Sequence, residues 1–383
     1  MRAQIRSASL IVVCLTVLTQ VSAVPSRAPV LSQQPRRLYR VVNKDKKVGF
    51  IDRTGRLVIG FNRLPAGVEV GDFSEGLASI CFPNESGGDC RGVGFIDETG
   101  EIVIAPRFKH ATKFSEGLAY VEAEGLVGFI DRRGEVAIKL KETERYVSDF
   151  HEGLALVLTD QGLGFIDRAG KWAINARYSY AESFSEGLAA ATISSERGAK
   201  YGFINKEGQM VIPPRFGPRV EIDPERVVAI DTPRFSEGLA RVRVGDLYGY
   251  INKQGEFVIP PQFPYAGDFS EGLANVAEKG KESKAGFIDK SGRWVITPRF
   301  ALGSHAIFNS FKGGLAPVAV EIKPGIVAWG YIDRNDKMVI EPRFVEACPF
   351  DGDVALVYVA DASRNLAIAR YIDKTGKYLW EPQ

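Results

Sequence analysis

The stretch Gly249–Ala274, GYINKQGEFVIPPQFPYAGDFSEGLA, recurs with variation along almost the whole chain. A Gly-(Phe/Tyr)-Ile-(Asp/Asn) tetrapeptide begins at Gly49, Gly94, Gly128, Gly164, Gly202, Gly249, Gly286 and Gly330, and Arg370-Tyr371-Ile372-Asp373 is a ninth copy without the glycine. Its companion FSEGLA begins at Phe73, Phe114, Phe184, Phe235 and Phe269, with looser forms at Phe150, Phe311 and Phe350. The aromatic-to-aromatic steps from Phe50 to Tyr371 are 45, 34, 36, 38, 47, 37, 44 and 40 residues. Self-similarity at such a period marks one array of like modules rather than two or three unrelated domains.

Each module reads as short antiparallel strands. In GLAYVEAEGLVGFIDRRGEVAI, Leu118–Glu122, Val127–Asp131 and Glu135–Ile138 are rich in strand formers and are separated by turn residues. The second and third strands are joined by Asp-x-x-Gly, as at Asp52, Asp97, Asp131, Asp167, Asp289 and Asp373, with Asn205 and Asn252 in two copies. Either side chain accepts a bond from the backbone two residues on, and the glycine supplies a positive φ. These aspartates therefore read as turn residues rather than as a ligand ring. The third strand runs into proline at Pro106, Pro213, Pro260, Pro298 and Pro342, which predicts that pairing stops there. An aromatic follows (Phe108, Tyr178, Phe216, Phe263, Phe300, Phe344), and the link beyond it suits a fourth, short edge strand. The alanine of FSEGLA, for example Ala119 or Ala240, has an apolar residue two positions on, and so offers a close approach to a neighbouring sheet. One such meander is marginal alone, so stability must come from module on module.

The first 23 residues read as a secretory signal. Arg2 and Arg6 precede an apolar run at 10–18 that is too short to span a bilayer, and small residues allow cleavage between Ala23 and Val24. Residues 24–37, rich in Pro, Ser and Gln, read as a flexible leader, and 38–383 as a single repeat domain. Processing removes two arginines and no acid, leaving 47 basic against 47 acidic side chains. That balance argues against nucleic acid as a partner, and no further run has transmembrane length. Cys81 and Cys90 flank FPNESGGD between two strands and suit a local disulfide in an exported protein. Cys348 is left over and reads as buried. Asn84-Glu85-Ser86 fits a glycosylation acceptor.

FSEGLA followed by GFIDxxGxxVIxPxF resembles the WG-repeat family of bacterial repeat proteins across about residues 38–383. The family's Trp-Gly survives literally only at Trp329-Gly330, the tryptophan position elsewhere holding Val48, Val93, Val127, Leu163, Tyr201, Tyr248 or Ala285. The resemblance implies an all-β repeat array and transfers no catalytic residue. Independently, four short strands per period of about 40 suit a β-propeller blade. The expected architecture is a tandem array of antiparallel β-meanders closed into a propeller-like ring or arc, with an open β-solenoid as the alternative.

No catalytic constellation stands out. His110, His151 and His305 are far apart, no zinc spacing is present, and no nucleophile elbow or phosphate loop occurs. No cofactor or metal is expected. Glu75, Glu116, Glu152, Glu186, Glu237 and Glu271 are the acid/base candidates, but they follow the repeat, as local pairing with an arginine such as Arg107, Arg215 or Arg299, or capping of a turn, would. Trp172 and Trp294 read as packing variants of the third strand. The reading is a non-catalytic binding scaffold, secreted, periplasmic or envelope-associated, whose partner is an envelope protein or polysaccharide. Binding is expected on the long loops at 62–71, 81–90, 218–232 and 301–310. The alternatives are a hydrolytic or carbohydrate-active propeller using Asp223 and Glu225, and a glycan-binding module.

Overall fold

Nine small antiparallel sheets follow one another along the chain in a computed structural model. It describes residues 36–381 apart from 85–89, 195–198, 218–221, 224–225, 228–232, 281–283, 303–308 and 362–365. The signal segment and most of the leader lie outside the described residues, as does the acidic part of the 218–232 loop. Each sheet is one copy of the repeat, here called blades 1 to 9. Blade 4 shows the pattern: Arg145–Tyr146, Leu154–Thr159, Gly162–Asp167 and Trp172–Tyr178, paired in that order. The short leading strand recurs at Glu69–Val70, His110–Ala111, Tyr180–Ala181 and Glu346–Ala347, and is the expected fourth edge strand. A two-residue ribbon, Ile222–Asp223 with Arg226–Val227, stands outside the blades.

The third long strand does not stop at proline. In blade 2 it runs Ile102–Phe108, pairing Ile104 with Phe95 and, after a register shift, Phe108 with Val93. The proline sits in the bulge, where no ladder hydrogen bond is asked of its nitrogen, and pairing resumes beyond it. The bulge also explains the glycine of the motif. A Cβ on Gly249 would lie 2.5 Å from the Ile259 carbonyl oxygen and 2.7 Å from the Pro261 nitrogen. On Gly330 it would lie 2.5 Å from the Ile340 oxygen. Among the described residues blade 9 has no such bulged strand: after Leu366–Ile372 the chain pairs back at Lys377, Tyr378 and Leu379, so Arg370 is tolerated where the others need glycine.

Packing between blades supplies the core. Leu77, Phe95, Ile104 and Phe108 of blade 2 form one cluster with Phe114, Ala119, Val121 and Ile130 of blade 3. Leu118, Tyr120, Phe129 and Ile138, from the other face of blade 3, form the next with Ala155, Val157 and Ile166 of blade 4. Alternate residues of one strand thus serve two neighbours, and the FSEGLA alanine is fully enclosed at Ala119, Ala155, Ala240, Ala274 and Ala316. Eight such clusters join blades 1 to 9 in sequence.

The ring closes by contact between blades 9 and 1. The Tyr39 and Tyr371 rings lie 5.4 Å apart and Phe61 and Trp380 5.8 Å apart. The Tyr39 hydroxyl donates to the Asp351 carbonyl at 3.1 Å, and Arg37 pairs with the Asp351 carboxylate. Arg36 and Arg37, read from the sequence as leader, are therefore tied to the ring, and the Arg36 N–H donates to Glu98. Every blade is built from one continuous segment, and among the described residues no strand is shared across the closing seam. Among the described residues this seam has no cluster of buried apolar side chains like the other eight.

Two expectations follow. Gly249→Ala should destabilise the fold by about 1–3 kcal/mol through overpacking, whereas Arg370→Ala, at a half-exposed position where no bulge approaches, should cost less than about 1 kcal/mol; denaturant unfolding reads both. Hydrogen exchange should show blades 1 and 9 opening at lower free energy than blades 4 to 6, and Trp380→Ala should widen the gap. Uniform protection around the ring would show the seam to be as strong as the other interfaces.

Candidate functional site

The strand registers give the ring two distinct ends. Leu77 pairs with Asp97, so the FSEG turn before one and the Asp-x-x-Gly turn after the other share an end. The tips joining first and second strands lie at the opposite end, with the close of the third strand.

At the FSEG end stand the six glutamates. All are left-handed, with φ between 52° and 54°, and the next residue is a glycine with φ above 79°. Each carboxylate accepts a hydrogen bond from the FSEG glycine of the following blade: Gly117 N–H to Glu75 at 2.9 Å, Gly153 to Glu116 at 2.9 Å, Gly187 to Glu152 at 3.0 Å. Gly238 to Glu186 at 3.0 Å, Gly272 to Glu237 at 2.9 Å and Gly314 to Glu271 at 3.0 Å continue the series. In five of the six turns a serine before the glutamate reaches the same neighbour, as Ser115 does by donating to the Phe150 carbonyl at 2.8 Å; in blade 4 His151 stands there. In blades 5 to 7 a turn lysine closes the contact: Lys206 to Glu152 at 3.2 Å, Lys253 to Glu186 at 3.3 Å, Lys290 to Glu237 at 3.2 Å. Burial pushes the Glu152 carboxyl up, but Lys206 and the Gly187 N–H outweigh it and hold that carboxyl below the usual glutamate range. The acid/base candidates are thus spent on holding blade to blade.

Their partners are not the arginines that the sequence suggested. Arg107 and Arg215 lie over their own Phe108 and Phe216 rings and donate to the Gly134 and Gly255 carbonyls of the next blade's turn. Arg299 pairs with Asp336. The turn aspartates behave as expected. The Asp52 carboxylate accepts from the Thr54 and Arg56 N–H groups at 2.9 and 3.2 Å, and Asn205 does the same for Gln209 at 2.8 Å. Burial raises the Asp52 carboxyl, and the bonds from Thr54 and Arg56 bring it down to about 2.

The opposite end carries a cleft of about 790 Å³ beside blades 3 and 4. It exists because blade 3 breaks the repeat. Its third strand, Val136–Lys139, is four residues long where those of blades 2 and 4 are seven. KLKETERY replaces the Pro-Arg-Phe ending, and Leu140 stands in the core where an aromatic closes the other blades. The space is entered by Tyr120 and Tyr146, stacked 4.3 Å apart at 16°. Tyr120 donates to Glu122 at 2.7 Å and Tyr146 to Asp149 at 2.8 Å. Burial and the adjacent carboxylates push both phenols well above their ordinary value. Lys109, His110, Glu142 and Arg145 surround the pair, and Glu144, nearly buried, accepts from the Lys141 N–H at 2.9 Å. One wall is the blade 2 hairpin, at Asn84 and Cys90. The disulfide Cys81–Cys90 staples that hairpin with its Cα atoms 5.5 Å apart.

The remaining candidates fall into place. His110 lines the cleft, His151 is exposed in the blade 4 turn, and His305 lies outside the described residues. Trp172 packs against the core of blades 3 and 4, and Trp294 lies edge-on to Phe263 of the preceding blade at 6.0 Å. Cys348 is half-buried, and burial raises its thiol. Glu225, and the side chain of Asp223, lie outside what the structure describes. Among the described residues no cluster of three His, Cys, Asp or Glu side chains could hold a metal, and no helix is long and apolar enough to cross a membrane. Reading the sequence missed the cleft, although its signal was present: blade 3 alone among blades 2 to 8 lacks the terminal aromatic.

The WG-containing-repeat family model matches residues 94–126, 164–194, 201–217, 232–248, 248–281, 286–321 and 329–361, together more than half of the chain. The chain belongs to the WG-repeat family. No curated protein matches the sequence. Similar solved structures include the β-propeller domain of the trilobed protease from Pyrococcus furiosus, with 11% identity, a TM-score of 0.41 and coverage of 82% of this chain and 98% of that one. Citrobacter koseri AztD has 12% identity and a TM-score of 0.36, covering 82% and 88%; Kluyveromyces lactis Hsv2p has 9% and 0.36, covering 60% and 73%. This WG-repeat chain is a nine-bladed β-propeller.

Substitution at Glu186 separates the two roles of the turn. Glu186→Ala leaves the left-handed cost as it is and loses the charge-assisted bond, about 1.5–3 kcal/mol. Glu186→Gly loses the bond but relieves a backbone strain of about 1 kcal/mol. Denaturant unfolding should rank wild type above Gly above Ala; Ala equal to wild type would show the bond to be worth nothing.

Proposed function

We propose that this WG-repeat propeller is a non-catalytic binding scaffold, exported and held in or near the cell envelope, and that the cleft of blades 3 and 4 is its binding surface. One observation carries the reading: the carboxylates that could form a catalytic ring are engaged blade to blade, while the break in the repeat opens a lined cleft. The cleft mixes three cationic groups or imidazoles with three glutamates around two aromatic faces. Such a surface suits recognition of a polar chain, a loop of an envelope protein or a polysaccharide, rather than a single charged metabolite. A disulfide along its wall favours an oxidising compartment.

Affinity capture from the native envelope with the mature protein tests this. The double variant His110→Ala/Arg145→Glu alters two exposed side chains and leaves the blade core intact. It should reduce capture at least tenfold, while Lys337→Glu, exposed at the other end, should leave it unchanged. Equal capture by both would remove the cleft from the mechanism. Turnover of chromogenic glycosides or esters by the wild type would replace the scaffold reading with an enzymatic one.

A further inference from the structure

A polysaccharide and a polypeptide make different demands on the cleft of blades 3 and 4. A polysaccharide is held by open aromatic faces and by polar groups that exchange hydrogen bonds with its hydroxyls. The two tyrosines of the cleft offer neither. Their rings lie parallel and 4.3 Å apart, so each covers one face of the other. The Phe129 ring stands edge-on to both, 5.8 Å from Tyr120 and 6.2 Å from Tyr146, and Tyr120 is only 4% exposed. Both hydroxyl protons are already committed, to Glu122 and to Asp149.

What the cleft leaves free is charge of both signs. Lys109, Glu142 and Arg145 line it and are exposed. Among the described residues none of these three side chains has an ion-pair or hydrogen-bond partner. Turn charges at the opposite end of the ring are matched within the protein, as Lys206 is by Glu152. An uncharged glycan would leave the three charges of the cleft unanswered. An anionic one would meet Glu142 and Glu122 as well as Lys109 and Arg145, and like charges brought together at an interface oppose binding. A polypeptide carries both signs on one chain and answers each.

Beside these charges the surface turns apolar. Leu158 pairs with Arg145 across the blade 4 ladder. It continues the face on which Leu154 and Leu156 pack against blade 5, yet it is 38% exposed. Ile193 comes two residues after Ala191, a blade 5 member of the same cluster, and is 61% exposed. Both leave the core at the end of the ring where the cleft opens. One exposed apolar residue needs no explanation, but two at one blade boundary, next to unpaired charges, have the make-up of a protein-binding surface. Given the cleft as the binding surface, we infer that its partner is an exposed polypeptide segment in which an acidic and a basic side chain flank an apolar one. Lys109 and Arg145 receive the acid, Glu142 receives the base, and Leu158 and Ile193 receive the apolar side chain.

The test pans a displayed library of random peptides on the mature protein and measures neutral and anionic polysaccharides alongside. Enriched peptides should carry both charge signs and an apolar residue, and a synthetic copy should bind saturably. Glu142→Lys and Lys109→Glu alter exposed, unpaired side chains, and each should weaken that peptide at least tenfold. Replacing the peptide's basic residue by an acid should restore binding to Glu142→Lys, a rescue that misfolding or a merely structural role does not allow. Ile193→Ser should weaken the original peptide at least threefold. No enriched peptide, or enriched peptides that bind all three variants as tightly as the wild type, overturns the inference. So does a polysaccharide that binds the wild type and is lost in His110→Ala/Arg145→Glu; the cleft would then stand as the binding surface with a different partner. If that double variant captures from the envelope as the wild type does, the cleft itself falls and the polypeptide partner with it.

Discussion

The left-handed glutamate at the head of each blade is the constraint on which the rest of the ring depends. A non-glycine residue in that conformation costs about 1–2 kcal/mol, and the chain accepts this six times over. The cost is met across the blade boundary, because the conformation presents the carboxylate to an N–H of the next blade. Where no glutamate is present, glycine takes over the conformation: Gly313 and Gly352 have φ of 62° and 68°. The backbone shape is thus kept in every FSEG-like turn from blade 2 to blade 9, and the carboxylate is added where the neighbour can use it.

From this turn the rest of the interface follows. The strand leaving it alternates its side chains between two neighbours, and its alanine lets the preceding blade approach closely. The third strand, bulged at proline, places an aromatic on the core and an arginine over it, directed at the next hairpin. Turn-to-turn, face-to-face and arginine-to-hairpin contacts act at different points of one boundary, so every boundary but the last is fixed at several places. The closing seam relies instead on two aromatic pairs, hydrogen bonds and ion pairs. It is also the boundary whose halves are farthest apart in sequence, and so the costliest to close.

Much of this was legible in the chain. The strands, the Asp-x-x-Gly turns, the short edge strand, the alanine's role and the disulfide all follow from local chemistry that a single copy displays. What was not legible lies between copies. The proline was read by its own lack of a donor, and the bulge that spares it depends on the glycine of the paired strand. The arginines were assigned to the glutamates because the charges match, and only the twist of one blade past the next shows that they face a different turn. One signal between copies was present in the sequence. The residue after the turn's Asp or Asn is basic in every copy, from Arg53 and Arg132 to Lys374, except at Glu98. Basic members such as Lys206 face the preceding blade's glutamate. Glu98 faces blade 1, which has no FSEG turn, and accepts the Arg36 N–H instead. The charge reverses where its partner is missing, and that pairs neighbouring copies before any coordinates are known.

Departures from the repeat mark the sites. A residue that follows the repeat is explained by the repeat, since the force that keeps it acts at every boundary alike. A residue that departs from it, at some cost to packing, needs another explanation. Blade 3 gives up the closing aromatic and opens a cleft. Blades 6 and 7 place a guanidinium and an amide where blades 4 and 5 place apolar side chains, and the amide's oxygen is left unpaired. In a ring of like modules a ligand is recognised by the differences between modules, and these are the differences that the packing of this ring leaves unaccounted for.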